Sequence, residues 1–464
     1  MSSQSKKIGF SSIMFDKNVW ILSIVLDKKQ KMSMMLPVFL VEEAMNREIL
    51  KSVIFDQHEI IKNIDIVPRD YEFDKNANYV LTGLRRAGKS TMLYKKCRDL
   101  VDAGTNWNDI IYINFEDERL IEFNADDFND IIAVHSEIGD GNGYYFFDEI
   151  QNIQGWEKFA RRMADMKEHI CITGSNATML SREIETTLGG RFITKHITPY
   201  SFPEYLRATG TPWNATGNLS TKAAGLIMKQ FEKYLVFGGF PELLQYEIKR
   251  EYIMSVYQKV LLGDIITRNK IRNDYAARIL FKKIAESVCS EISYSKMHNL
   301  LNTVGISVSK DSVIEYVNYA INAYLLFPVQ NYFTKFAERE GNQKYYFSDN
   351  GILNLFLRDG NSALLENVVA TDLLRKYGEI FFLKSAKTGI DIDFYVPETK
   401  TAVQVAYSIK TSAREREISN LKKLASSFKE AERFVVLTKD EHEIIEENGI
   451  KIEVIPVFRF LLGI

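Results

Sequence analysis

A chain of 464 residues with a formal net charge of −2 is too long for one ordinary domain and too neutral to act as a polycation. Two or three domains are expected, and any nucleic-acid contact has to come from a local patch. Three widely spaced cysteines (Cys97, Cys171, Cys289) and six scattered histidines exclude a disulfide framework and a structural zinc cluster, and fit a reducing compartment.

From the N-terminus, residues 1–44 show no long periodicity, and methionines recur at 32, 34 and 35. The stretch is expected to be a poorly ordered extension, with the natural start at or near Met45. Its best apolar run, "NVWILSIVL" at 18–26, is too short to span a bilayer, and "DKKQKM" follows where a cleavage site would stand. No membrane contact and a cytoplasmic location are expected. From Met45 the pattern is a helix leading into a strand. Residues 45–200 then alternate apolar runs ("YVLTG", "IIYINFED", "GYYFFDE", "HICITGSN", "RFITKHITPYSF") with amphipathic stretches, which predicts a parallel sheet flanked by helices. Residues 201–275 read as helical, with a tight turn at Gly238-Gly239 before Pro241. Residues 276–350 read as three helices and a hairpin, a winged-helix pattern. Residues 351–464 hold the strands "EIFFLKSA", "IDIDFYVP", "TAVQVAYSI" and "RFVVLTK", with a helix over 412–429. The fold class is α/β throughout.

The phosphate-binding signal is "GLRRAGKST". Gly83, Gly88, Lys89 and Ser90 fit G-x-x-x-x-G-K-[ST], with a strand before and a helix after. Glycines let the backbone curl so that several N–H groups face one concavity, and the helix adds its positive end. Lys89 is expected on the β- and γ-phosphates of ATP, and Ser90 or Thr91 on Mg2+. The cofactor-binding set also includes Arg85 and Arg86 of the loop. Sixty residues on, "YYFFDEIQ" drives an apolar strand into Asp148, a magnesium carboxylate, and Glu149, placed to polarise water. Ser175 and Asn176 end the fourth strand and either sense the γ-phosphate or cap a helix. Arg191 in "LGGRF" stabilises transition-state charge, in cis or across a subunit boundary, or is a plain surface or ion-pair arginine.

The set "TGLRRAGKST", "YINFEDERL", "FFDEIQNIQGWEKF", "ITGSNATML", "GGRF", "PYSFPEYL" and "YLVFGGFPELL" resembles a large prokaryotic family of AAA-type ATP-binding proteins. The resemblance implies a P-loop AAA-type domain, a winged-helix segment and a restriction-endonuclease-like C-terminal domain. Nucleases of that fold place magnesium on a helix glutamate, an acidic-x-Asp strand and a Glu/Gln-x-Lys strand. Here the matching residues are Glu366, Asp391, Asp393 and Gln404, and Ala406 stands where the lysine belongs. Lys384, Lys387 and Lys410 lie nearby, none in the strand position. A degenerate second site without cutting activity is therefore expected.

DNA reading by the third helix of the middle segment is not favoured. "SVSKDSVIEYVNYAINAY" offers Lys310 against Asp311 and Glu315, while phosphate contacts dominate such binding. A better basic cluster is "RNKIRNDYAAR" at 268–278. The leading expectation is an ATP-hydrolysing AAA-type chain with a nucleic-acid-related output. The alternatives are a nucleotide-dependent switch acting on a protein partner, or an ATP-linked nuclease.

Overall fold

The computed structural model describes residues 38–176, 186–214, 220–335, 341–410, 413–447 and 449–464. It divides into a unit ending at Glu48 and a unit from Ile49 to Ile464. Of the first, only the end of the chain segment entering the helix Val38–Asn63 is described. The expectation of poor order upstream thus lies mostly outside the described residues. Among the described residues no helix is long and apolar enough to cross a membrane.

The second unit is built on two sheets. The first holds β1 (Asn78–Thr82), β2 (Ile110–Asn114), β3 (Tyr144–Asp148), β4 (His169–Gly174) and β5 (Phe192–His196). All are parallel, in the order β2-β3-β4-β1-β5. The helices Lys89–Asp102, Phe128–Ile138 and Trp156–Asp165 cross between strands. Covered on both faces, the inner strands must be apolar nearly throughout, which is why "YYFF" and "IIYI" are legible as strands. The order puts β4 beside β1 and β3 next beyond it, so their C-terminal ends share one rim with the glycine loop that follows Thr82. That loop is held by close packing: a Cβ on Gly83 would lie 2.0 Å from the Ile197 carbonyl oxygen.

The second sheet is mixed and eight-stranded, in the order β12-β13-β11-β10-β9-β8-β6-β7. Its members are β6 (Leu326–Asn331), β7 (Lys344–Phe347), β8 (Phe381–Ser385), β9 (Ile390–Val396), β10 (Thr401–Val405), β11 (Arg433–Thr438), β12 (Glu443–Glu447) and β13 (Ile450–Pro456). The three expected helices before it form at Asp274–Glu286, Tyr294–Thr303 and Lys310–Asn322, capped by Asn273, Ser293 and Ser309. Their hairpin is not a free wing. While β6 pairs antiparallel with β7, its end pairs parallel with β8 at Gln330 and Asn331. The sequence boundary at 350 therefore divides strands that share one sheet.

The two sheets are joined by a polar latch around "GGFPE". The helix Thr221–Phe237 ends at Gly238, φ 75°, and the buried Asp349 carboxylate accepts the amides of Gly239 and Gly351, each at 2.8 Å. A Cβ on Gly238 would meet that carboxylate at 2.1 Å. Beside it, Asn350 donates to the carbonyls of Leu235 and Leu364, and Asn367 completes the ladder of β7 through the amide and carbonyl of Phe347.

Burial pushes the Asp349 carboxyl up to about 6, against the backbone amides that favour its charge. An acid whose folded value is raised contributes stability that is complete below its unfolded value near 4 and lost as pH rises through 6. From pH 4 to pH 7, wild type should lose about 2 kcal/mol relative to Asp349→Asn. Denaturant unfolding of both proteins at matched pH checks this; a difference independent of pH refutes it.

Candidate functional site

The rim of the first sheet opens into a cleft of about 1070 Å³. On one wall stand Lys89, Ser90, Thr91, Asp148 and Glu149. On the other stand Tyr246 and Tyr252, stacked with centroids 4.4 Å apart. Gly88 precedes the helix Lys89–Asp102 in a left-handed conformation (φ 98°), and no side chain caps that helix. Its leading amides are left to an anion, as the sequence motif requires. The Lys89 ammonium lies buried behind the loop, donating to the carbonyls of Gly83 (3.0 Å) and Leu84 (3.2 Å). Burial pushes it below the ordinary lysine value, while Glu149 and Asp148 oppose that shift.

Asp148 is fixed on three sides. Its carboxylate accepts the hydroxyls of Thr173 and of Tyr112 (2.8 Å) and bonds the Ser90 hydroxyl. Burial, then the neighbouring Glu149, raises its pKa. Glu149 sits in the left-handed region (φ 52°), its amide on the Thr173 oxygen at 3.0 Å. Burial pushes its carboxyl up, but Lys89 and Arg85 outweigh this and hold it below the usual range. Gln151 also donates to it. Thr173 thus bonds both acidic residues, a role the sequence reading missed. Its one signal was a hydroxyl inside the apolar run "HICITG". Ser175 and Asn176 are both buried at the end of β4, where Gly174 pairs with Thr82. Any helix they cap begins outside the described residues.

The two loop arginines line the same cleft, each held in an ion pair. Arg85 makes a two-pronged ion pair with Asp264 (3.0 and 3.2 Å) and reaches Glu116 at 2.9 Å. Burial lowers the Arg85 pKa, but Asp264 outweighs it and the net shift is upward. Asp264 lies in the π-helix Val260–Thr267, and Arg86 pairs with Glu242 of the turn Pro241–Gln245. Both partners belong to the segment beyond the first sheet. From the other side Arg69, paired with Glu204 at 2.8 Å, donates to the Ala87 carbonyl at 3.1 Å.

Arg191 is not brought to this rim. The register Asn78↔Phe192 and Thr82↔His196 puts it at the opposite end of β5, paired with Asp165 at 2.5 Å. Four strand residues, about 13 Å, separate the two ends. Within one chain Arg191 does not reach the loop.

The residues named in the second half do converge, in a cleft of about 560 Å³. Glu366, Asp391, Asp393 and Gln404 all line it, Asp391 from an exposed position 3.9 Å from Lys384. The lysine that the strand position lacks is supplied to the cleft from elsewhere. Lys344 of β7 is buried against Glu366 (3.4 Å) and Asp393 (3.2 Å). No sequence spacing announces it, since it comes from the hairpin, and a lysine beginning "KYYF" reads as edge-strand protection.

Residues 75–206 match the family described as an AAA domain, and residues 228–363 a domain of unknown function (DUF8612). An uncharacterized protein of Methanocaldococcus jannaschii is 30% identical over 444 residues, 91% of this chain and 97% of that protein. The chain belongs to the prokaryotic P-loop AAA-type ATPase family. An uncharacterized Haemophilus influenzae protein is 29% identical over 402 residues, 85% of this AAA-type chain and 95% of its own. Among solved structures, a Walker-type ATPase of Pyrococcus abyssi is similar at TM-score 0.41 and 14% identity, covering 64% of this chain and 99% of that one.

Removing Arg85 leaves the buried Asp264 with Arg268 alone, 3.8 Å away. Arg85→Ala should cost about 3 kcal/mol, reduced when Asp264→Asn is added, because the penalty is an unpaired buried charge. Denaturant titration of the two variants reads this; equal losses refute it.

Proposed function

We propose that this chain hydrolyses ATP and passes its nucleotide state to the second half through the Arg85–Asp264 pair. The observation behind the proposal is that Lys89, Ser90, Asp148 and Glu149 form one connected set at the mouth of one cleft. In this reading Lys89 swings from the Gly83 and Leu84 carbonyls to the β- and γ-phosphates, and the helix amides bind the same oxygens. Ser90 and Asp148, already in contact, are the donors for a magnesium ion, which when bound neutralises phosphate charge. Glu149, held ionised, orients the attacking water, and Ser175 and Asn176 report the γ-phosphate.

A triphosphate in the loop brings new anionic oxygens to Arg85, in competition with Asp264 and Glu116. Loosening that grip frees the π-helix and the helices beyond it, so binding and hydrolysis become alternate states of the second half. The output is best read as action on a protein partner. The exposed positions of the helix Lys310–Asn322 are Lys310, Asp311, Glu315 and Asn318, a net negative surface. One observation favours nucleic acid instead: Lys270, Arg272 and Tyr275 are all exposed just after the π-helix.

Glu149→Gln should lower ATP turnover by about 10²–10³-fold with binding kept, whereas Lys89→Ala should weaken both. Hydrogen exchange over 260–278 should rise with ATP in Glu149→Gln and not change in Glu149→Gln/Arg85→Ala. Unchanged turnover in Glu149→Gln refutes the chemical assignment, and equal exchange in the two proteins refutes the coupling. DNA that stimulates wild-type turnover at low salt only would select the nucleic-acid reading.

A further inference from the structure

The resemblance to metal-dependent nucleases implies a divalent ion between Glu366 and Asp393, and the donor set there does not fit one. The Lys344 ammonium lies between them, bonding Oε1 of Glu366 and Oδ1 of Asp393, with the face of Phe382 5.6 Å away. Other groups hold the two carboxylates as well. Tyr346 donates to the same Oε1 of Glu366 at 2.6 Å, and the Cys289 thiol lies beside that carboxylate. The amide of Val405 donates to Oδ2 of Asp393 at 2.9 Å. Gln404 supplies no charge, and its amide spans from the Asp393 N–H to Glu417. Glu417 in turn takes Arg416. Among the described residues, no three His, Cys, Asp or Glu side chains are placed to hold a metal.

We infer that the second cleft is plugged: the Lys344 ammonium takes the place of a divalent ion between Glu366 and Asp393, and removing it opens the pair to such a cation. A divalent ion added beside the buried ammonium would face a like charge at van der Waals distance, in a place where water screens little. With the ammonium gone, two buried carboxylates lie together without a counter-charge, and a hard divalent cation is the group that satisfies them. The cleft lined by Ser362, Tyr407, Ser408 and Asn420 is then a surface for contact and not for cutting.

The test counts manganese bound to nucleotide-free protein by paramagnetic resonance, in wild type, Asp393→Asn, Lys344→Met and the double variant. Any binding at the first cleft is common to all four and cancels. The expected result is equal binding by wild type and Asp393→Asn. Lys344→Met should gain one further ion per chain, at least tenfold tighter than any Asp393-dependent binding in wild type, and lose it in the double variant. Manganese should also raise the melting temperature of Lys344→Met and not that of wild type. A bound ion that wild type loses on Asp393→Asn overturns the inference, and so does folded Lys344→Met that gains none. Should Lys344→Met not fold, the comparison of wild type with Asp393→Asn decides alone.

Discussion

The pairing of Arg85 with Asp264 ties the phosphate loop to the rest of the chain. A carboxylate as buried as Asp264 is costly without a partner, and the fork of a guanidinium satisfies both its oxygens at once. The partner comes from the loop that must also receive phosphate, so the loop is not a self-contained cradle. Arg86 on Glu242 repeats the tie, and Arg69 on the Ala87 carbonyl anchors the other side of the same loop. Three arginines thus set the loop's shape before any nucleotide arrives.

Both clefts combine carboxylates with a lysine, and the side chain's direction distinguishes them. Lys89 points at backbone carbonyls and leaves Asp148 and Glu149 turned to the cleft. Lys344 points at the carboxylates themselves. The first arrangement holds a charge ready for an incoming anion. The second uses its charges on each other, and the same residue types become an internal ion pair.

Much of this was legible in sequence for identifiable reasons. The first sheet was readable because its inner strands are buried on both faces and end in carboxylates and small polar residues. The three helices before the hairpin announce themselves through Asn273, Ser293 and Ser309, polar caps ahead of apolar periods. Contacts between distant segments were not legible. Nothing local in "LLGDII" says that its carboxylate pairs with residue 85, although an acid inside an apolar run demands some partner. Lys344 is the sharpest case: a motif search looks along one strand, and the sheet brought the lysine from another. Arg191 shows the reverse: it directly precedes the expected strand, yet it stands at the end away from the glycine loop, paired with Asp165. The strands β12 and β13 lie past the last run the sequence reading used, in charged segments where burial of Ile445, Ile452 and Val454 marks the inner face.

The hydrogen-bonded continuity of β6 with β7 on one side and β8 on the other has a consequence for dissection. A protein cut after residue 350 would leave a two-stranded edge without its neighbour, and the C-terminal piece would begin with β8 exposed. Bare edges of that kind pair with whatever strand they meet. The helical segment and the second cleft are therefore one inheritable piece: neither can be shuffled into another gene without taking the other along.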